Sequence, residues 1–111
     1  MSDAEKLEAL LKPVKASFRA RLKQSLPSFV EFKQDLAENK VITPDAYADI
    51  KSQCHKVSGS SKTLGFEELG GSAAAVEKCI EAIDVPENEH ASANGLNEIF
   101  DDFLLNVRAA I

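Results

Sequence analysis

Aromatic residues are scarce in this chain of 111 residues, at 6%, and tryptophan is absent. Glycine and proline, five and four, are also few. That poverty of aromatics and turn formers argues against a sandwich, a barrel or a disordered tail. No apolar run approaches the roughly 20 residues needed to span a bilayer. Met1 to Glu5 lacks the basic and apolar regions of a signal peptide. Positive charge is in short supply, with 13 Lys and Arg against 18 Asp and Glu. A net charge of -5 argues against nucleic acid or an anionic membrane as the main partner. The only cysteines, Cys54 and Cys79, fit no zinc or redox spacing, and are expected to be a buried and a flanking thiol. A cytoplasmic protein with reduced thiols is the expectation.

What is present favours helices. Ala, Leu, Glu and Lys dominate, hydrophobic residues reach 44% and charged residues 28%. The length suits one domain over 1–111 with one modest core. Ser2 and Glu5 form a capping box, followed by Leu7, Leu10, Leu11 and Val14 at helical spacing. The stripe continues through Phe18, Leu22, Leu26, Phe29 and Leu36. A short first helix to about Lys12 and a long second one to about Asn39 are expected, with Pro13 in the second helix's first turn. Pro27 should kink or split the second helix.

Thr43-Pro44-Asp45 starts the next helix, whose stripe is Tyr47, Ile50, Cys54, Val57, Ser61 and Leu64, with Gly65 as C-cap. Glu67 and Glu68 open another, with Leu69, Ala73, Val76, Ile80 and Ile83 inward, ending near Asp84 before Pro86. A last helix from about Asn88 carries Ala93, Leu96, Phe100, Phe103 and Val107. Strand candidates and repeats are lacking. Short connections predict an all-α, antiparallel up-and-down four-helix bundle with a short extra N-terminal helix. Such a core needs no partner to fold, so a monomer is expected.

One helical segment is locally unfavourable, Cys54-His55-Lys56-Val57-Ser58-Gly59-Ser60-Ser61-Lys62-Thr63-Leu64-Gly65-Phe66. Gly59 inside a helix costs roughly 1 kcal/mol relative to Ala, and the serines add smaller penalties. Violations of that kind tend to mark sites where something must approach closely. Gly59 lies one turn after His55 on the same face and strips the surface beside the imidazole; a packing role between helices is the alternative. Lys56 and Lys62 flank the region and could attract an anion.

His55 lies eleven residues before Phe66, and Glu77 eleven after it. In an antiparallel hairpin turning at Gly65-Phe66 they are level. A carboxylate on one ring nitrogen fixes the tautomer and leaves the other nucleophilic. The competing readings are an ordinary helix-flank histidine and a solvated glutamate. His90, in a polar loop, reads as solvated. The run Gly59-Ser60-Ser61-Lys62-Thr63 fails as a phosphate-binding loop, because Lys56 and Ser61 stand where glycine is required and no strand precedes it.

The segment resembles the signature of histidine-containing phosphotransfer (HPt) domains. There a helical His is followed by a Lys three residues on, a Gly four on, a small-residue stretch and a Leu-Gly-Phe-like turn. His55, Gly59, Ser60, Ser61, Leu64, Gly65 and Phe66 match in place, and the helix pattern fits along the whole chain. Ser58 departs, standing where the family has the lysine that helps bind the phosphoryl group. Lys56 or Lys62 is the candidate replacement.

The resemblance implies a carrier in a two-component phosphorelay. His55 Nε2 would take a phosphoryl group from an aspartyl phosphate on a receiver domain, or from a sensor histidine kinase, and pass it to a response regulator. Glu77 would orient the ring through Nδ1. Lys56, Ser58, Gly59 and Lys62 would meet the phosphoryl group or the partner, and Phe18 or Leu22 could add apolar docking area. The implied cofactor is Mg²⁺ on the receiver, with none of the chain's own. With no ATP site, the chain would supply half an active site. The alternatives are a non-catalytic adaptor, which Ser58 favours, and an excised phospho-accepting domain of a chemotaxis kinase. The glutamate at position 77 resembles that domain, and Met1 with a capped first helix does not exclude it.

Overall fold

The computed structural model describes residues 2–38, 40–83 and 89–111, with the backbone alone for 89–94. The expected helix ends at Asn39 and Asp84, Pro86, the start at Asn88, and the side chains of His90 and Ala93 lie outside the described residues. Four helices are described: α1 (Asp3–Ala37), α2 (Pro44–Leu64), α3 (Glu67–Ile83) and α4 (Glu89–Ala110). Among the described residues there is no strand, and no helix is long and apolar enough to cross a membrane.

The local start signals act as their chemistry dictates. Ser2 Oγ accepts from the Glu5 N–H at 3.2 Å, and Thr43 Oγ1 from the Ala46 N–H at 3.1 Å. Gly65 ends α2 in the left-handed region at φ 85°, where its N–H donates to the Ser61 carbonyl. The Phe66 N–H donates to the same carbonyl at 2.9 Å. The Phe66 ring then packs on Phe18, centroids 5.3 Å apart, beneath the Arg19 guanidinium at 5.4 Å. This anchored turn fixes the level of α3 against α2.

The separate short first helix does not exist. One helix of 35 residues runs through both Pro13 and Pro27. Each proline removes one hydrogen bond, to the carbonyl four residues back. Those carbonyls belong to Ala9 and Lys23, both exposed residues whose backbone water can satisfy. A second correction concerns the N-terminal stripe. Leu7, Leu10 and Val14 are exposed, and burial along α1 begins only at Phe18. Phe18 and Leu22 are themselves core and offer no docking area.

Each helix packs on two neighbours, α1 on α2 and α4, and α3 on α2 and α4. Arg19 Nε donates to the Ala110 carbonyl at 3.2 Å, while Lys33 pairs with Asp101 at 3.0 Å and with Asn97, so α1 and α4 run antiparallel. Phe29, Phe100 and Phe103 are fully buried, with Phe29 and Phe103 edge to face at 5.1 Å. Each ring contributes about 1.5–3 kcal/mol of burial.

Candidate functional site

Helices α2 and α3 share a seam of small residues. A Cβ added to Gly70 would lie 3.2 Å from Ser61 Cβ and 3.6 Å from the Ser58 carbonyl oxygen. A methyl group there would press on Ser61, which would have to give by a few tenths of an ångström. Gly59 differs: a Cβ there meets nothing within 4 Å. The packing glycine is Gly70, while Gly59 leaves open surface one turn from His55. Ser61 is fully buried, with a hydroxyl that has no hydrogen-bond partner.

Along that seam His55 and Glu77 come level. His55 Nδ1 lies 3.1 Å from Glu77 Oε1 and 3.0 Å from Oε2, so one ring nitrogen faces both oxygens. The side chains are 78% and 20% exposed, respectively. An ionised carboxylate only accepts, so this contact places the proton on Nδ1 and leaves the Nε2 lone pair free. The imidazole stands out from the helix surface and the carboxylate is tucked at its base.

The remaining candidates scatter. Ser58 is buried in the α2–α3 seam, only 8% exposed, and offers no surface to a partner. Lys62 is exposed, its stem 3.8 Å from where a Gly70 Cβ would sit. Lys56 is exposed too, and lines a different groove, between α1 and α2, with Arg21, Ser25, Gln53 and Ser60. The shallow groove that holds His55 and Glu77 instead includes Lys51, whose Nζ lies 3.9 Å from Glu81 Oε1. Sequence reasoning passed over Lys51. The available signal was its place four residues before His55 on one helical face.

Cys54 adjoins His55 in sequence but points into the core. Burial, with the negative charge of Glu77 added, pushes its thiol up to about 12. Burial also raises Cys79. Neither supplies a thiolate nucleophile at neutral pH. Among the described residues no three His, Cys, Asp or Glu side chains are grouped to hold a metal ion.

This geometry presents a held, outward-facing imidazole with one free ring nitrogen beside bare helix surface. Comparison with protein families returns the Hpt domain, matched over residues 3–110, essentially the whole chain. Comparison with curated proteins and with solved structures yields no significant match. The chain belongs to the Hpt domain family. Hpt domains are phosphocarrier modules of two-component signalling that interact with receiver domains and kinases.

Proposed function

From that membership we propose that this chain carries a phosphoryl group on His55 Nε2 between an aspartyl-phosphate receiver domain, or a sensor kinase, and a response regulator. The observation that carries the reading is the Glu77 carboxylate 3.0 Å from Nδ1 of an outward-facing His55. With Nδ1 protonated, the Nε2 lone pair attacks phosphorus. The N–P bond forms as the acyl-phosphate O–P bond breaks, and the bonding electrons return to the receiver's aspartate. Positive charge then develops on the ring, and Glu77 stabilises it through the Nδ1 proton, which stays in place. Return transfer to a second receiver reverses these bonds.

Phosphoryl transfer is mostly positioning and charge neutralisation. Ser58 is short and buried, so it brings no charge to the phosphoryl oxygens. The neutralising Mg²⁺ belongs on the receiver's side. On this chain Lys51 lines the same groove as His55, and Lys56 and Lys62 stand on either side of α2. Gly59 keeps the approach to the imidazole clear. The other proposed roles are a soluble carrier acting in the cytoplasm, with modest affinity so that each partner can be released.

The test is transfer from a Mg²⁺-loaded, Asp-phosphorylated receiver, read by intact mass before and after acid, beside a His55→Gln control. One acid-labile phosphoryl group, absent from the control, is the expected result. No transfer from a broad receiver panel, nor from an ATP-dependent histidine kinase, would leave a non-catalytic adaptor as the better account.

A further inference from the structure

Helix α1 outruns its bundle. Its 35 residues span about 52 Å at 1.5 Å per residue, against about 32 Å for the 21 of α2. The far ends of the neighbours are marked by contacts to the start of its buried stretch: Phe66 lies on Phe18, and the Ala110 carbonyl accepts from Arg19. Residues 3 to about 15 therefore project as three turns of helix beyond the main packing, with only Leu11 and Lys15 half-covered. A helix that short is marginal in water by itself. Yet its apolar face continues the one that α1 buries further on, with Leu7 57%, Leu10 72% and Val14 46% exposed. Leu11, between them, is half-covered by the bundle's end.

We propose that this projecting face pairs antiparallel with the same face of a second copy, forming an end-to-end homodimer. The argument is charge self-complementarity. Acids prevail at the outer end of the segment (Asp3, Glu5, Glu8), where Lys6 lies on the flank away from Glu8, and bases occupy its inner end (Lys12, Lys15, Arg19). Glu8 and Lys15 fall on the same flank of the apolar stripe, by helical geometry. A two-fold axis between Leu10 and Leu11 sets Leu7 against the partner copy's Val14 position and Leu10 against its Leu11 position. It also brings each Glu8 beside the Lys12 and Lys15 of the other copy. Parallel pairing would set the Glu8 and Lys15 flanks of the two copies on opposite sides of the seam and lose these pairs. The second copy's helix would fill the space over the end of the bundle, and its own bundle would lie beyond the first copy's N-terminus.

Three helical turns bury less than the about 800 Å² per partner of a standard interface, so association in the micromolar to millimolar range is expected. This departs from the monomer expected from sequence. It does not rest on the phosphotransfer reading. His55 lies eleven residues along α2 from the Phe66 end, so its face stays open in the dimer.

Sedimentation equilibrium of the full chain, from micromolar to millimolar concentration, tests the pairing. A reversible monomer–dimer equilibrium is expected. Leu10→Glu should raise the dissociation constant at least about tenfold while leaving the helix content of the dilute monomer unchanged, because it sets a charge against an apolar partner. Glu8→Lys should also weaken the dimer, and adding Lys12→Glu and Lys15→Glu in the same chain should restore it. A chain that stays monomeric throughout, or a dimer indifferent to Leu10→Glu, would overturn the proposal. A dimer that Leu10→Glu breaks but the charge exchange does not follow would overturn the antiparallel register.

Discussion

His55 on α2 and Glu77 on α3, twenty-two residues apart in the chain, meet with Nδ1 3.0 Å from Oε2 and 3.1 Å from Oε1. The contact depends on the turn between them. Gly65 in the left-handed region and Phe66 anchored on Phe18 hold the hairpin so that equal counts from the turn reach equal heights.

The pair makes charge and tautomer separable. Glu77→Gln keeps a carbonyl oxygen to accept from Nδ1 and loses only the charge. Glu77→Ala loses both. Rates of phosphoryl acquisition should fall about ten- to a hundredfold in the alanine variant, the range seen when a partner that orients a ligating histidine is removed. The glutamine variant should fall less, since it keeps the tautomer and forfeits only the charge that stabilises the ring during transfer. Nitrogen-15 NMR of the His55 ring supplies a readout independent of transfer: the proton should sit on Nδ1 in the parent and in Glu77→Gln, and lose that preference in Glu77→Ala.

Cys54 makes the fold sensitive to alkali. Its thiol rises from 9.0 to about 12, chiefly through burial and secondarily through the charge of Glu77. Between those values the unfolded chain has lost the thiol proton and the folded chain retains it, so stability falls as pH rises. The loss approaches about 1.4 kcal/mol per pH unit within that window. Urea unfolding in steps from pH 8 upward should show that slope. Cys54→Ala should be less stable at pH 8 but flatter, and an unchanged slope in the variant would assign the effect to other groups.

Local chemistry was legible in the sequence. Thr43-Pro44 and Gly65 declare their helix ends through single residues whose hydrogen bonds close nearby, and counting from Gly65-Phe66 brought Glu77 level with His55. What escaped depends on surroundings. Pro13 suggested a break, but a helical proline costs less where the orphaned carbonyl can reach water, and Ala9 lies on an exposed stretch of α1. Leu7, Leu10 and Val14 suggested core because periodicity reports an apolar face without saying what covers it. Gly70 was passed over because a close approach between two helices exists only once both are placed.

Gly70 should be intolerant of alanine. Its new Cβ would stand 3.2 Å from Ser61 Cβ, an atom too near its own backbone to yield easily. Overpacking of about 1–3 kcal/mol should outweigh the roughly 1 kcal/mol that alanine gains over glycine in a helix. In a Ser61→Gly background the clash disappears, so the same change should cost less or become favourable. A double-mutant cycle read by denaturant midpoint measures that coupling. Ser61→Ala keeps the Cβ but removes a buried hydroxyl with no partner. It should therefore raise stability by about 1 kcal/mol.

Gly59 separates fold from function most sharply. A Cβ there meets nothing within 4 Å, and the residue is exposed in the interior of α2. Packing gives no reason for glycine, and helix propensity gives a reason against it. Gly59→Ala should therefore stabilise the isolated chain by about 0.5–1 kcal/mol, visible as a higher denaturant midpoint with an unchanged slope. If the bare surface beside His55 exists so that a receiver can close on the imidazole, the same methyl group should slow phosphoryl acquisition, and Gly59→Leu should slow it further. Free imidazole phosphorylation by a small donor such as phosphoramidate needs no docked protein, so it should proceed equally in all three chains. A stabilised variant with normal receiver-dependent rates would mean that Gly59 serves neither packing nor approach. A stabilised, slow variant with a normal small-donor rate would locate the cost of this glycine in the docking of a protein partner.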